Sequence, residues 1–147
     1  MQPKYPPPLV FACCAIAIFA LPSVLEPHFI QRIIAGVIGV SALIVAGCAV
    51  WYFHQAKTTL DPRVPAHTTV LVTSGVYRMS RNPMYFALAA LLVAESLWLN
   101  RLLGFGVVWG FVWFITRFQI LPEEQSLARI FGDNYQDYKK QVPRWLW

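Results

Sequence analysis

The sequence predicts an all-α, polytopic membrane protein with about four transmembrane helices, the last two paired as a hairpin, followed by short cytoplasmic C-terminal helices. Three observations carry that prediction. Of 147 residues, 57% are apolar and 13% charged, where an ordinary soluble domain carries ~25% charged residues. The apolar residues collect in four long runs. The basic residues, which give a formal net charge of +5, gather around the ends of those runs. A soluble monomer and a disordered chain are both excluded by this balance. The length fits one domain, 1–147.

Leu9–Leu25 is the first apolar run, broken only by Pro22 and Ser23, and Ile33–Phe53 is a second without a charge. Both approach the ~20 residues that cross a bilayer core as a helix. The first lacks the strongly basic flank and small-residue cleavage site of a signal peptide, so it is kept as a span. Met84–Leu99, containing Glu95, and Leu102–Leu121, containing Arg117, fit a tight hairpin joined at Asn100–Arg101. Glu95 falls near the far end and reaches the opposite interface.

A polar segment, His54–Pro83, separates the second and third runs, and a tail, Pro122–Trp147, follows the fourth. With an even number of crossings, Lys4, Lys57, Arg63, Arg78, Arg81, Arg117, Arg129, Lys139, Lys140 and Arg144 share one side, leaving Arg32 and Arg101 on the other. The positive-inside rule makes the richer side cytoplasmic, together with both termini. In the tail, Pro122-Glu123-Glu124 has the composition of a helix start. Leu127, Ile130 and Phe131 then recur at helical spacing before Gly132 ends the turn. Asn134–Gln141 is a second short helix with Tyr135 and Tyr138 on one face. Pro143 stops it, and Trp145 and Trp147 are expected at headgroup level.

The chain has no dinucleotide fingerprint, phosphate loop, zinc-protease motif or nucleophile elbow. Cys13, Cys14 and Cys48 show neither metal-ligand spacing nor a disulfide framework, and His28, His54 and His67 are too widely separated for a metal site. The basic residues flank spans without any nucleic-acid recognition module, so lipid headgroups or an anionic cofactor suit them better than nucleic acid.

What remains is a polar set on the cytoplasmic side: Thr73-Ser74-Gly75-Val76-Tyr77, Arg81-Asn82-Pro83-x-Tyr85, Arg117, Glu123 and Glu124. A hairpin returns its two ends to the same membrane face, so the Arg81–Tyr85 and Arg117–Glu124 turns are expected side by side. Pro83 in a first helical turn leaves N–H groups free for an anionic group. Gly75 permits close approach of backbone to a planar ligand. The glutamates suit ribose hydroxyls or an amino group. Each residue also has a plainer reading: the glutamates as dipole-compensating charge, Arg117 as a snorkelling side chain, Tyr77 and Tyr85 as interfacial aromatics.

In order, Val70-Leu71-Val72-Thr73-Ser74-Gly75-Val76-Tyr77, Arg81-Asn82-Pro83-Met84-Tyr85 and Glu123-Glu124-x-x-Leu127-x-x-x-Phe131-Gly132-x-x-Tyr135-x-x-Tyr138-x-x-x-Val142-Pro143-Arg144 resemble the isoprenylcysteine carboxyl methyltransferases and the related phospholipid methyltransferases. The resemblance covers about half of the chain. It implies an all-helical membrane enzyme that binds S-adenosylmethionine in a cytoplasmic pocket. The chain then divides into two N-terminal spans, 1–58, and a cofactor-binding region, 59–147. Thr69, Val70, Leu71 and Val72 would line the adenosine site, Tyr77, Asn82, Pro83 and Tyr85 would hold the methionine portion, and Glu123 the ribose or amino group. Eukaryotic members carry histidine at the position of Asn82, and arginine, implicated in holding the substrate carboxylate, at the position of Gln119. The nearest arginine here is Arg117, which a helix of 3.6 residues per turn sets roughly 200° away.

The expected reaction is an in-line attack of a lipophilic or small acceptor on the sulfonium methyl. Carboxylate and thiolate acceptors need no base, whereas an ammonium must first lose a proton, for which Glu124 or a tyrosine is the candidate. Arg117 and Gln119 are the candidates on the acceptor side. The rival readings are a membrane reductase of sterol type using NADPH and a non-enzymatic membrane scaffold.

Overall fold

The computed structural model describes residues 6–23, 26, 28–55 and 70–146, and among them are six α-helices and no strand. Thr69, Lys4, Lys57, Arg63, His67 and Trp147 lie outside the described residues.

Helix α1, Pro7–Ala20, starts on prolines, which suit the first helical turn because its N–H groups have no intrahelical acceptor. It stops before Pro22, short of the expected Leu9–Leu25 crossing. Its 14 residues span ~21 Å at 1.5 Å per residue. Helix α2, Phe29–Gln55, overruns the expected Ile33–Phe53 run at both ends. Helix α3 is Pro83–Trp98 and α4 is Gly104–Ile115. Two helical segments are long and apolar enough to cross a membrane, Phe29–Gln55 and the continuous Gly104–Phe131, while α1 and α3 are shorter apolar helices.

The main pairing sets α2 antiparallel against α3. At one end, Gln31 Nε2 donates to the Leu97 carbonyl at 2.7 Å and to Asn100 Oδ1 at 3.1 Å. At the other, Ala49 clusters with Val72 and Tyr77, with Met84 packed against them. Ala35, Ala42 and Ala49 are buried at heptad spacing, and Ala87 and Ala94 are buried on α3. Small residues let two backbones approach where no solvent drives association, the usual way to pair helices in lipid. The outer face of α2 carries exposed Ile33, Val37, Val40 and Ile44. In water an apolar face of that size is a liability, whereas against lipid it is the ordinary surface. Together these helices indicate membrane association.

The α3–α4 hairpin turns where the sequence predicts. Asn100 takes φ 51°, a left-handed conformation that asparagine tolerates better than most residues. The Arg101 N–H donates to the Ser96 carbonyl at 2.8 Å and the Asn100 N–H to the Leu97 carbonyl at 3.1 Å, the pair of bonds that closes a helix in a Schellman motif. Gly104 then opens α4 so close to α3 that a Cβ there would run into Ser96 and come within 3.3 Å of Ile18.

The reading of Pro122-Glu123-Glu124 as a new helix start is corrected. Helix α5, Leu121–Phe131, continues α4 through a π-turn, Thr116–Ile120. The Leu121 N–H reaches the Thr116 carbonyl, an i→i−5 bond. Proline inside a helix has no N–H and collides with the carbonyl four residues earlier, here Phe118. A widened turn just before it accommodates both defects. Helix α6, Asp133–Gln141, follows Gly132 and buries Tyr135 and Tyr138 on one face, as their spacing predicts. Trp145, expected as an interfacial anchor, is instead buried in a core with Ile18, Leu92, Val108, Phe111, Ile115 and Ile120. Its indole Nε1 donates to Thr116 Oγ1 at 3.2 Å, which satisfies the one polar atom that would make burial costly.

Gly104→Ala is expected to destabilise the detergent-solubilised protein by about 1–3 kcal/mol through overpacking. Gly106→Ala, where nothing lies within 4 Å of the new methyl, is expected to be neutral or stabilising by up to about 1 kcal/mol. Thermal unfolding of the two variants side by side checks the contrast.

Candidate functional site

Four stretches converge at the end of the bundle where α2 finishes and α3 begins. The first is the extended segment from Val70, which leads into a 3₁₀ turn, Gly75–Arg78. The second is the Ser80–Tyr85 entry to α3, the third α5 with α6, and the fourth the tail after Gln141. Between them lies a cavity of about 440 Å³, within the few hundred to a thousand Å³ common for small-molecule sites.

At one wall, Tyr85 Oη donates to Glu123 Oε1 at 2.6 Å. This bond joins the start of the hairpin to its far end, so the expectation that the two turns stand side by side is met. Burial pushes the Glu123 carboxyl up to about 7; the Tyr85 hydrogen bond pulls it down, and neighbouring Glu124 pushes it further up. Glu123 is thus a carboxyl poised between charged and neutral forms at physiological pH.

Glu124 is different. Its Oε1 lies 2.9 Å from Arg81 Nη1 and 3.0 Å from Arg144 Nε, and its Oε2 2.8 Å from Arg144 Nη2. The carboxylate is buried, 6% exposed, and Arg144 grips it with two N–H groups, the geometry that guanidinium and carboxylate favour. The residue expected as a candidate base, Glu124, is thus the centre of an ion cluster, both of its oxygens engaged by guanidinium groups.

The tail completes that cluster as a strap across the α3 entry. The Arg81 N–H donates to the Pro143 carbonyl at 3.0 Å, and the Arg144 carbonyl accepts from Ser80 Oγ at 3.2 Å and from Asn82 Nδ2 at 3.0 Å. One N–H of the Asn82 amide is therefore engaged within the protein. Tyr138 Oη donates to the Tyr77 carbonyl at 2.6 Å, pinning the 3₁₀ turn to α6. Arg81 Nη1 also donates to Tyr135 Oη at 3.5 Å. Burial raises the Tyr77 and Tyr138 phenols above their ordinary value, so both stay protonated hydrogen-bond donors.

Of the residues expected in the pocket, Val70, Leu71, Val72, Tyr77, Asn82, Pro83, Tyr85, Glu123 and Glu124 line the cavity. Gly75 does not: its φ of +60° is the left-handed conformation glycine favours, and the planar group against its backbone is the ring of Tyr52, into which any Cβ would run. Gln119 is buried outside the cavity. Arg117 is exposed beside Trp109 and Trp113 in a separate shallow groove of about 290 Å³, so the arrangement does not bring it to the cavity.

The cavity also has walls the sequence reading missed. Arg81, Ser126, Tyr135 and Tyr138 add polar groups to its lining, and Leu127 an apolar one. Arg81 and both tyrosines stood in the motifs without an assigned role, and their burial was the missing signal. Ala46, Leu88 and, from α1, Pro7 and Pro8 add further apolar lining.

Comparison with known proteins agrees with this architecture. A phospholipid methyltransferase family model matches residues 30–134, a stretch that holds α2, both turns, the hairpin and α5. An uncharacterised Haemophilus influenzae protein is 44% identical over 63 residues, which are 43% of this chain and the whole of that protein. The mouse protein-S-isoprenylcysteine O-methyltransferase is 40% identical over 80 residues, 54% of this chain but 28% of the mouse protein. The corresponding Schizosaccharomyces pombe protein is 27% identical over 103 residues, 70% of this chain and 41% of its own length. No solved structure matches the chain. With most of its length under the family model and its motif residues gathered around one cavity, the chain belongs to the phospholipid methyltransferase family.

Proposed function

We propose that this protein is a membrane methyltransferase that uses S-adenosylmethionine to methylate a lipophilic or small acceptor. The observation that carries the proposal is the cavity in which the Tyr85–Glu123 hydrogen bond joins the two motif blocks. The residues present fit the donor. Val70, Leu71, Val72, Leu127 and Ile130 offer an apolar slot for a flat heterocycle, Glu123 an acceptor for ribose hydroxyls or an ammonium, and Tyr77 and Tyr85 aromatic walls for a cationic centre.

The donor, when bound, supplies a methyl group on a sulfonium leaving group. The protein's own work is then alignment and exclusion of water. Tyr85 and Glu123 fix one edge of the site, Tyr138 fixes the turn carrying Tyr77, and the buried Arg81–Glu124–Arg144 cluster keeps the α3 entry from shifting. For an acceptor that must shed a proton, Glu123 is better placed than Glu124, because it alone of the two is free of ion pairs among the described residues. In this reading, the chain is a single domain that crosses the membrane four times with termini and cavity cytoplasmic. The apolar end of the cavity admits an acyl or prenyl chain. A carboxylate acceptor is the less suited choice beside Glu123, and the position of the family's arginine is held by Gln119, outside the cavity.

The reductase alternative fits less well. A nicotinamide donor brings several phosphates, whereas the cavity wall has one guanidinium, Arg81, already bound to Glu124. A scaffold role predicts no donor binding at all.

Titration calorimetry with S-adenosylhomocysteine on detergent-purified protein is expected to give saturable binding, and its absence at millimolar ligand sinks the proposal. Tyr85→Ala and Glu123→Gln are expected to weaken that binding about tenfold or more, the scale of a charge-assisted hydrogen bond. Arg117→Ala, remote from the cavity, is expected to leave it unchanged.

Glu123 also predicts two pH dependences. The folded carboxyl holds its proton to higher pH than an unfolded one, so stability falls as pH rises from about 4.5 to 7, by up to about 3 kcal/mol. Melting temperatures measured across that range are expected to decline in wild type and to flatten in Glu123→Gln. Affinity for the cationic donor is expected to run the opposite way, rising with pH as Glu123 ionises.

A further inference from the structure

Among the charged residues of the polar set Arg81, Arg117, Glu123 and Glu124, Arg117 alone stands away from the cavity. It lies near the end of the apolar Leu102–Leu121 run, is exposed, and forms no ion pair among the described residues, whereas Arg81 and Arg144 share a carboxylate. A cation inside a membrane-spanning run calls for a partner.

The groove beside it is built along one helix face. Trp109, Trp113 and Arg117 are spaced four residues apart and so stand in a row, with Val112 and Thr116 next to them and Leu121 beyond. From Trp109 to Arg117 the row covers ~12 Å at 1.5 Å per residue, most of the ~15 Å that one leaflet contributes to a ~30 Å hydrocarbon core. The groove thus has the reach of a single lipid in one leaflet. Both tryptophans are open, 72% and 55% exposed. Headgroup anchoring does not account for them, because anchoring tryptophans sit at the interfaces, and these two straddle the middle of the Leu102–Leu121 run. Trp113 is braced edge-on by Phe118, with ring centroids 6.1 Å apart at 83°. At the polar end, the Thr116 hydroxyl donates to the Val112 carbonyl at 2.6 Å and accepts from Trp145 Nε1 at 3.2 Å. Arg117 is left as the one charged group of the lining.

We propose that this groove is a binding site for an anionic glycerophospholipid of the surrounding bilayer, its phosphate on Arg117 and one acyl chain along Trp113 and Trp109. The guanidinium fork matches two phosphate oxygens. A zwitterionic head sets its own ammonium beside the phosphate, so charge complementarity selects a head of net negative charge. The chain packs against Thr116 and Leu121, the two residues whose backbone bond closes the π-turn. The site is separate from the cavity and does not depend on what the cavity binds.

The test uses the full chain reconstituted into phosphatidylcholine vesicles, in which an increasing share of the lipid is phosphatidylglycerol or phosphatidylcholine with brominated acyl chains, and reads contact as quenching of tryptophan fluorescence. Brominated phosphatidylglycerol is expected to reach half-quenching at an about three- to tenfold lower mole fraction, the scale of one net hydrogen bond. Arg117→Gln is expected to bring the two lipids within about twofold of each other. Arg129→Gln, the same loss of charge at an exposed position outside the groove, is expected to keep the preference. Replacing Trp109 and Trp113 together by phenylalanine is expected to remove the difference between the lipids, because it removes the fluorophores of the groove. Quenching by brominated phosphatidylcholine persists in each arginine variant and reports an inserted, folded protein.

Equal quenching of wild type by the two lipids overturns the proposal, as does a preference that survives Arg117→Gln. A preference lost equally in Arg117→Gln and Arg129→Gln belongs to the surface charge as a whole and overturns it too. So does quenching by both lipids that falls as the protein-to-lipid ratio rises, the sign of a second copy of the chain lying over the groove. None of these results bears on the methyl-donor reading, which the calorimetry above tests by itself.

Discussion

Glu124 sits at the junction of three segments that are far apart in the chain: the lead-in to α3 through Arg81, its own helix α5, and the tail through Arg144. Taking the Glu124 carboxylate and the Arg81 guanidinium out of water costs several kcal/mol per ion, and only good geometry with further hydrogen bonds recovers it. Both are present. Arg144 meets the carboxylate with two N–H groups, and the backbone around the ions is tied by the bonds from Arg81 and Asn82 to Pro143 and Arg144. Removing Glu124 leaves two guanidiniums without the carboxylate they share, a loss of about 3–5 kcal/mol. The walls of the cavity therefore stand or fall together, because the strap, the α3 entry and α5 share this one centre.

The contrast between neighbouring glutamates follows from it. Glu123 and Glu124 are equivalent in composition and adjacent in sequence, but a helix turns about 100° per residue. One faces the arginines and the other Tyr85. The first is taken up in the ion cluster, and burial pushes the second, a carboxyl hydrogen-bonded by Tyr85, up to about 7. A buried ion cluster and a tyrosine-bound carboxyl are thus separated by a single step along a helix.

How much of this was legible beforehand depends on the range of the interaction. The hairpin was readable because apolar run length and the polar Asn100–Arg101 break are local, and topology alone brings Tyr85 near Glu123. The Tyr135–Tyr138 face was readable from spacing. The strap was not, since nothing local shows that Trp145 returns to the core or that Asn82 donates to the Arg144 carbonyl. Gly75 was read as room for a ligand when the room is taken by Tyr52, a partner no local pattern reveals. Pro122 misled for a different reason: proline opens helices more often than it interrupts them, and the apolar pattern carries no mark of the extra residue in the turn before it.

That π-turn determines angular phase. A turn closed by i→i−5 bonds holds one residue more than a regular turn, so everything after it is rotated about the helix axis relative to an uninterrupted helix. Upstream of the turn, α4 shows the residues suited to lipid and core; downstream, α5 shows Glu123 to the cavity and Glu124 to the arginines. The bundle and the cavity thus have separate angular settings on one continuous rod. Their alignment is tuned by the length of a turn rather than by the identity of any side chain, which makes residue spacing across Thr116–Ile120 as specific a feature of this chain as its charged residues.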